Sequence, residues 1–298
     1  MKQRGDLPDV SAVVVHFETP QLLARSLAAL RSTAGVKVQT IVVDNASRSF
    51  DPTAVAEVLP GARVIRNRHN VGFAVASNQG LRDATGRYLL LLNPDTIVEP
   101  DTLAKMVGYM DARPDVGCAT ARLVMEDGRL DLACRRSFPT PARAFYRLSL
   151  LGRLFPRSRR FGQYNLTYLD EHAEAEIDSP CGAFMMVRAE VRDSVGLLDE
   201  SYFMYGEDLD WAYRIKRAGW RVMYNPAARA MHVKRASSSE ARPRTIRAFY
   251  DAMRIFYRRH YERDYPRWVS WLIFRGIDVR EALELVGARL QRPQEVRT

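Results

Sequence analysis

The strongest constraint on the fold is a series of short, uninterrupted apolar runs, each separated from the next by a helical pattern. Residues 10–15 read Val-Ser-Ala-Val-Val-Val, residues 39–43 Gln-Thr-Ile-Val-Val, residues 63–65 Arg-Val-Ile and residues 88–92 Tyr-Leu-Leu-Leu-Leu. Runs this short and this rich in Val and Leu predict strands buried on both faces. Between them, residues 21–30 place Leu22, Leu23, Leu27 and Leu30 on one helical face, and residues 74–82 predict a second helix. Strands alternating with amphipathic helices predict an α/β fold with a mainly parallel central sheet. Ligands of such sheets sit beyond the carboxyl ends of the strands. Asp44 and Asp95 both fall just after a predicted strand end, although 51 positions separate them. The first strand is followed by His16-Phe17-Glu18-Thr19-Pro20, so neither a Gly-rich dinucleotide fingerprint nor a phosphate-cradling Gly-Lys-Ser/Thr loop is present.

A chain of 298 residues accommodates one large domain with an elaboration, or two small ones. With 47% hydrophobic residues it can bury a core without disulfides. Its three cysteines, Cys118, Cys134 and Cys181, form no close pair, which fits a reducing compartment better than a disulfide framework or a zinc site. The apolar run at residues 12–15 is too short for a signal-peptide core, and no stretch approaches the roughly 20 apolar residues of a membrane span. The expectation is a cytoplasmic protein.

The net charge of +10 matters through its distribution. No acid occurs between Asp131 and Asp170, but eight arginines do: Arg135, Arg136, Arg143, Arg147, Arg153, Arg157, Arg159 and Arg160. A block of one sign reads either as a site for an anionic partner or as a solvated surface. Residues 134–178 look like a basic insert, with a helix over 141–155 carrying Phe145, Leu148, Leu151 and Phe155 on one side. After Ser237-Ser238-Ser239 the chain becomes helical: Ile246, Phe249, Tyr250, Met253, Phe256 and Tyr257 share a face, and Trp268, Trp271, Leu272, Ile273 and Phe274 follow. The expected organisation is a domain over 8–236 and a helical extension over 237–298. The Arg-bearing apolar faces suit an anionic membrane surface, and equally suit packing on the domain or a homodimer.

Two segments carry chemistry. In residues 199–210, five acids (Asp199, Glu200, Glu207, Asp208 and Asp210) are interleaved with aromatics and precede a helix predicted over 209–218. Asp208 reads as a helix N-cap, or as one member of a carboxylate crowd in which mutual repulsion raises a pKa and suits it to proton abstraction. The other segment is Asn93-Pro94-Asp95-Thr96, an ordinary turn or a strand-end ligand for Mg2+ or Mn2+. His232, beyond a strand predicted over 221–224, reads as a ligand or as a packed histidine.

Taken in order, these segments resemble family 2 glycosyltransferases of the GT-A fold, most closely bacterial rhamnosyltransferases. The pieces are Val13-Val14-Val15, Ile41-Val42-Val43-Asp44-Asn45-Ala46-Ser47, Asn70-Val71-Gly72-Phe73-Ala74 with Asn78, Leu92-Asn93-Pro94-Asp95, Gly182-Ala183-Phe184-Met185-Met186-Val187-Arg188, the 199–214 stretch and His232. The resemblance implies that Asp44, Asn45, Asn70, Gly72, Asn78 and Asn93 serve the nucleotide sugar and that Asp95 and His232 serve Mg2+ or Mn2+. It gives Asp208, beside Glu207, the role of catalytic base. Asn93 stands where the family has the first Asp of its metal motif, leaving a single carboxylate. The implied reaction is inverting transfer of one sugar, L-rhamnose from dTDP-L-rhamnose, to a glycan or polyprenyl-diphosphate-linked acceptor. UDP- and GDP-sugars are the alternative donors.

Other classes fit less. A nucleic-acid-binding protein explains the arginines but neither the acid cluster nor the strand-end aspartates, so no nucleic acid is expected. A nucleotidylyltransferase needs a Gly-rich basic loop after the first strand. A processive synthase needs membrane spans and a Gln-x-x-Arg-Trp motif, whereas Asp264 precedes Arg267-Trp268.

Overall fold

A computed structural model describes residues 7–233 and 242–290. The expected domain boundary at 236/237, Ser237–Ser239 and the side chain of Leu148 lie outside the described residues.

The predicted strands appear as β1 (Val10–His16), β2 (Val38–Asp44), β3 (Arg63–Arg66) and β4 (Tyr88–Leu92). They pair in parallel in the order β3-β2-β1-β4. All seven residues of β1 and all five of β4 are buried, as their apolar composition requires. Between them run α1 (Pro20–Arg31), α2 (Pro52–Val58) and α3 (Phe73–Asp83). Helix α1 starts on a proline at its first turn and buries Leu22, Leu23, Leu27 and Leu30, the predicted face.

Beyond β4 the sheet becomes mixed. Strands β5 (Thr96–Val98), β6 (Val116–Val124), β7 (Ala175–Glu176), β8 (Phe184–Arg188) and β9 (Arg221–His232) complete nine strands, continuing the order as β4-β8-β6-β9-β5 with β7 also on β9. Strand β8 runs antiparallel to β4, pairing Phe184 with Leu92. That pairing brings the segment before β8 beside the end of β4. Helix α4 (Thr102–Asp111) lies between β5 and β6.

Three local departures from the expected elements have physical causes. Strand β9 reaches His232 rather than stopping near Tyr224, because the register jumps from Asn225 to Arg229 opposite Ala121 and Arg122. Pro226 lies in that jump, a place where its missing N–H costs no ladder bond. The helix expected over 141–155 is split into α5 (Pro141–Leu148) and α6 (Leu151–Leu154) at Leu150, whose φ is +64°. Helix α7 (Ala189–Val195) leads into the acid segment, and α8 (Glu207–Arg217) begins two residues earlier than expected.

At the C-terminal end, α9 (Arg242–His260) and α10 (Arg267–Leu290) follow. Tyr250, Ala252, Phe256 and Tyr257 of α9 are buried, and Phe256 stacks with Phe138 and Tyr213. The apolar face read in α9 therefore packs on the domain and the insert, while Trp268, Trp271 and Leu272 of α10 remain exposed. No helix among the described residues is long and apolar enough to cross a membrane.

The acid-rich segment is pinned to α3 by Asn78. Its amide donates to Leu198 O at 2.9 Å and to Glu200 Oε1 at 2.9 Å, and its carbonyl accepts from Leu198 N at 3.1 Å. Replacing it by Ala would orphan both backbone groups of buried Leu198. Asn78→Ala is expected to lower unfolding free energy by about 2–4 kcal/mol in a denaturant titration. A loss below about 0.5 kcal/mol would show that the clip contributes nothing to stability.

Candidate active site

The ends of β1, β2 and β4 open on one edge of the sheet, where the strand order reverses around β1. Asp44 ends β2 and is fully buried. Its Oδ1 faces His16 Nδ1 at 3.1 Å, and Arg66 Nε lies 3.6 Å from its Oδ2. His16 Nε2 accepts from Thr19 N at 3.1 Å, so the ring proton sits on Nδ1 and points at Asp44 and Ser47 Oγ. Burial lowers the pKa of His16, with Asp44 opposing it, which fits a neutral ring that orients the carboxylate. Asp44 Oδ2 is buried without a hydrogen-bond partner, leaving an acceptor for a ligand donor.

Asn45, Asn70 and Gly72 form one knot beside it. Asn45 Nδ2 donates to Asn70 Oδ1 (3.0 Å) and Gly72 O (3.2 Å), while Asn45 Oδ1 accepts from Val71 N (3.0 Å) and Asn67 Nδ2 (3.2 Å). Gly72 has φ +90°, and a Cβ there would fall 2.6 Å from Phe203 O. That carbonyl accepts from Phe73 N at 2.7 Å, so only glycine allows α3 to begin against residue 203. In the structure Asn45, Gly72 and Asn78 shape the chain around the strand ends. Asp44 presents the unsatisfied group.

Asp95 and His232 come together through the antiparallel pairing of β5 with β9, which sets Thr96 opposite His232. His232 Nε2 lies 3.3 Å from Asp95 Oδ1, and its Nδ1 lies 2.7 Å from Asp131 Oδ2. Burial disfavours the charged ring, but the Asp131 and Asp95 carboxylates outweigh it and lift the pKa to about 9. Asp131 was not among the expected site residues; its only sequence signal is that it is the last acid before the basic insert. Among the described residues no group of three or more His, Cys, Asp or Glu side chains is arranged to hold a metal ion. The turn does offer oxygen: Asn93 Oδ1 is buried without a hydrogen-bond partner, and Asp95 Oδ1 faces His232 Nε2 at 3.3 Å. One carboxylate with an amide oxygen fits a hard cation that takes its remaining ligands from phosphate and water.

Gly206, with φ +80°, caps α8, so Asp208 is not the N-cap; it lies in the first turn with Glu207 and Asp210. The five acids have separate fates. Asp199 pairs with Arg259, Glu200 with Arg82, and Asp210 with Arg214 and His260. Asp208 Oδ2 accepts from Arg136 Nη2 at 2.7 Å and from Gly182 N at 3.0 Å. The general carboxylate repulsion read from the sequence is thus cancelled for four of the five by basic groups distant in sequence. Glu207 is the exception. It is buried, its Oε2 has no partner, and burial, reinforced by the Asp208 charge, pushes its pKa up to about 8.

Arg136 is the residue that sequence reasoning did not separate from its neighbours. Its side chain is 12% exposed and that of Asp208 10%. Arg135 is also buried, donating to the carbonyls of Leu169 and Asp170, and Arg143 pairs with Asp178. The acid-free block is therefore no single solvated patch, because Arg136 answers Asp208 of the domain while Arg135 and Arg143 tie the insert to itself.

One short segment links the two halves of the site. Gly182 N donates to Asp208, and the next residue's carbonyl, Ala183 O, accepts from Asn93 N at 3.2 Å. The base candidate and the Asn93–Asp95 turn are therefore held a fixed distance apart.

The chain matches the family described as Glycosyltransferase like family 2 over residues 8–251, and it belongs to that family. It is 26% identical to the N-acetylglucosaminyl-diphospho-decaprenol L-rhamnosyltransferase of Mycobacterium tuberculosis over 298 residues, covering 96% of each chain. It is 30% identical over 165 residues to the rhamnosyltransferase WbbL of Escherichia coli K12, covering 55% of this chain and 59% of that one. Among solved structures, a mannosyltransferase from Pyrobaculum calidifontis in complex with GDP-Man and Mn2+ aligns with a TM-score of 0.59 at 18% identity, over 95% of this chain and 74% of that one. GalNAc-T7 with UDP, GalNAc and Mn2+ aligns at 0.60 and 16%, covering 84% of this chain and 48% of that one. These two likenesses establish the GT-A fold.

The unpaired Glu207 has a measurable consequence. Between its ordinary value of 4.5 and about 8, the folded chain keeps a proton that the unfolded chain has lost, so this group lowers stability progressively as pH rises through that window. Glu207→Gln removes the cost. Its melting temperature should match the parent near pH 4 and exceed it increasingly towards pH 8, by the equivalent of a few kcal/mol. A gain that did not grow with pH would contradict a buried neutral Glu207.

Proposed function

We propose that this chain transfers a single L-rhamnose from dTDP-L-rhamnose, with inversion, to a hydroxyl of a lipid-linked glycan. The observation that carries the reading is Asp208: a buried carboxylate fixed by Arg136 and Gly182, and tied through Ala183 to the Asn93–Asp95 turn. Rhamnose and the lipid-diphosphate acceptor follow the activity of the mycobacterial relative, an N-acetylglucosaminyl-diphospho-decaprenol L-rhamnosyltransferase.

Asp208 is proposed as the base. It takes the proton of the acceptor hydroxyl as the oxygen attacks the anomeric carbon, a form of help typically worth ~10²–10⁴-fold. Arg136 and Gly182 N hold its Oδ2, and its Oδ1 accepts from Leu209 N at 2.7 Å. Glu207, neutral beside it, keeps a second negative charge away from the pair. Asp44, oriented by His16, accepts hydrogen bonds from the nucleoside, and Asn70, Gly72 and Asn93 bound the same pocket, with Asn45 and Asn78 setting its walls. Mg2+ or Mn2+ held by Asp95 and His232 would neutralise charge on the departing diphosphate.

In this reading residues 8–236 carry the transferase, and the helices α9 and α10 belong to an extension that follows it. The chain works in the cytoplasm, resting on the inner face of the membrane through the arginines of the insert and the exposed Trp268 and Trp271.

A thermal-shift screen of nucleotide sugars with and without MnCl2 tests donor and metal together. The wild-type chain should melt highest with dTDP-L-rhamnose plus Mn2+, and Asp95→Ala should lose the metal-dependent part of the shift. A larger shift with a UDP- or GDP-sugar would reassign the donor. An Asp95→Ala variant with the full Mn2+-dependent shift would remove Asp95 from the metal site.

A further inference from the structure

A cavity of about 540 Å3 opens beside the proposed base. One wall is polar, containing Arg136, Glu207 and Asp208; the others come from α5, α9 and α10 and are mainly apolar, with Arg147 of α5 and Arg280 of α10 among them. Phe256, Tyr257 and Ile277 are buried within it, whereas Phe145 and Leu272 also line it and are 61% and 52% exposed. The cavity therefore reaches solvent between α5 and α10.

We propose that this cavity receives the apolar chain of a lipid-phosphate-linked acceptor, seating the part nearest the phosphate beside Asp208. The inference rests on the glycosyl-transfer reading above and names the acceptor feature that the site selects. Three observations support it. The first is continuity: Asp208 belongs to the cavity wall and, through Gly182 and Ala183, is tied to the strand-end turn, none of whose residues 93–95 lines the cavity. The second is chemistry. A free glycan or a charged peptide gains nothing from Phe249, Phe256, Ile273 and Ile277, whereas each methylene buried there strengthens binding about fourfold. The volume lies within the roughly 300–1,000 Å3 of small-molecule sites, so it takes a short length of chain. The remainder leaves past Leu272 towards Trp271 and Trp268, which are 59% and 67% exposed on the same helix. The third is charge: Arg147 in the wall lies over the Tyr164 ring at 4.2 Å, an arrangement that keeps its N–H edges available to a phosphate.

Gly276 of α10 supplies the probe. It lines the cavity, and a Cβ built there meets no atom within 4 Å, so a larger side chain grows into open space without displacing the helix. The experiment is a titration of the full chain with monomeric dimethylallyl, geranyl and farnesyl phosphate, with inorganic phosphate and phosphatidylglycerol vesicles as controls. Affinity should rise about tenfold or more with each added isoprene unit, and the dependence should collapse in Gly276→Phe. Ala144→Phe narrows the cavity from the α5 wall and repeats the test should Gly276→Phe melt early. Affinities that ignore chain length, a full chain-length series in both variants, or binding to vesicles but not to monomeric prenyl phosphates would each overturn the proposal. Failure of the prenyl series alone leaves glycosyl transfer standing. Failure of every nucleotide sugar to shift the wild-type melting overturns that reading and this one with it.

Discussion

The pair of Arg136 with Asp208 organises the site. Taking both charges out of water is unfavourable, and the cost is offset only when geometry is good and the other lone pairs are met. Here Gly182 N and Leu209 N meet them. The consequence is structural as well as electrostatic. Arg136 draws the start of the insert against the helix that carries the acids. Gly182 brings the segment before β8 to the same carboxylate, and the adjoining Ala183 holds the turn after β4. A site that must align a leaving diphosphate with an attacking hydroxyl needs such a fixed separation.

The same arrangement distributes charge unequally between two neighbouring acids. Asp208 is paired with a cation and Glu207 with none, so burial and the Asp208 charge, only partly offset by the more distant influence of Arg136, raise the Glu207 pKa. On the opposite side, Asp131 and Asp95 hold His232 charged. Arg136, at the start of the insert, thus serves the base, and Asp131, just before the insert, serves the strand-end histidine. Arg135 and Arg143 are taken up by backbone carbonyls and Asp178 within the insert, and Arg147 and Arg160 lie over ring faces.

Much of the fold is legible in the sequence because strands buried on both faces leave continuous apolar runs, as in residues 10–15 and 88–92. What is not legible is direction and continuity. The run at 184–187 does not encode that β8 is antiparallel to β4, and Asn225-Pro226 hides the second half of β9. The site divides similarly. Asp44 and Asp95 are visible as strand-end acids, but the closeness of Asp95 to His232 depends on β5 pairing with β9 across 137 positions. Eight arginines look alike in sequence; that Arg136 is the one set against the proposed base depends on a carboxylate 72 positions away. The crowd of five acids suggests mutual repulsion, and only the tertiary partners reveal that four are matched and one is not.

Whether Arg136 acts through Asp208 is decided by a double-mutant cycle on the single-turnover rate of sugar transfer. Asp208→Asn, Arg136→Met and the double variant would be compared at saturating donor, with nucleotide-sugar binding measured alongside. The account predicts that Asp208→Asn slows transfer at least ~10²-fold while donor binding is nearly kept, and that adding Arg136→Met slows it little further. Losses that simply multiply, or an Asp208→Asn variant turning over at the native rate, would contradict it.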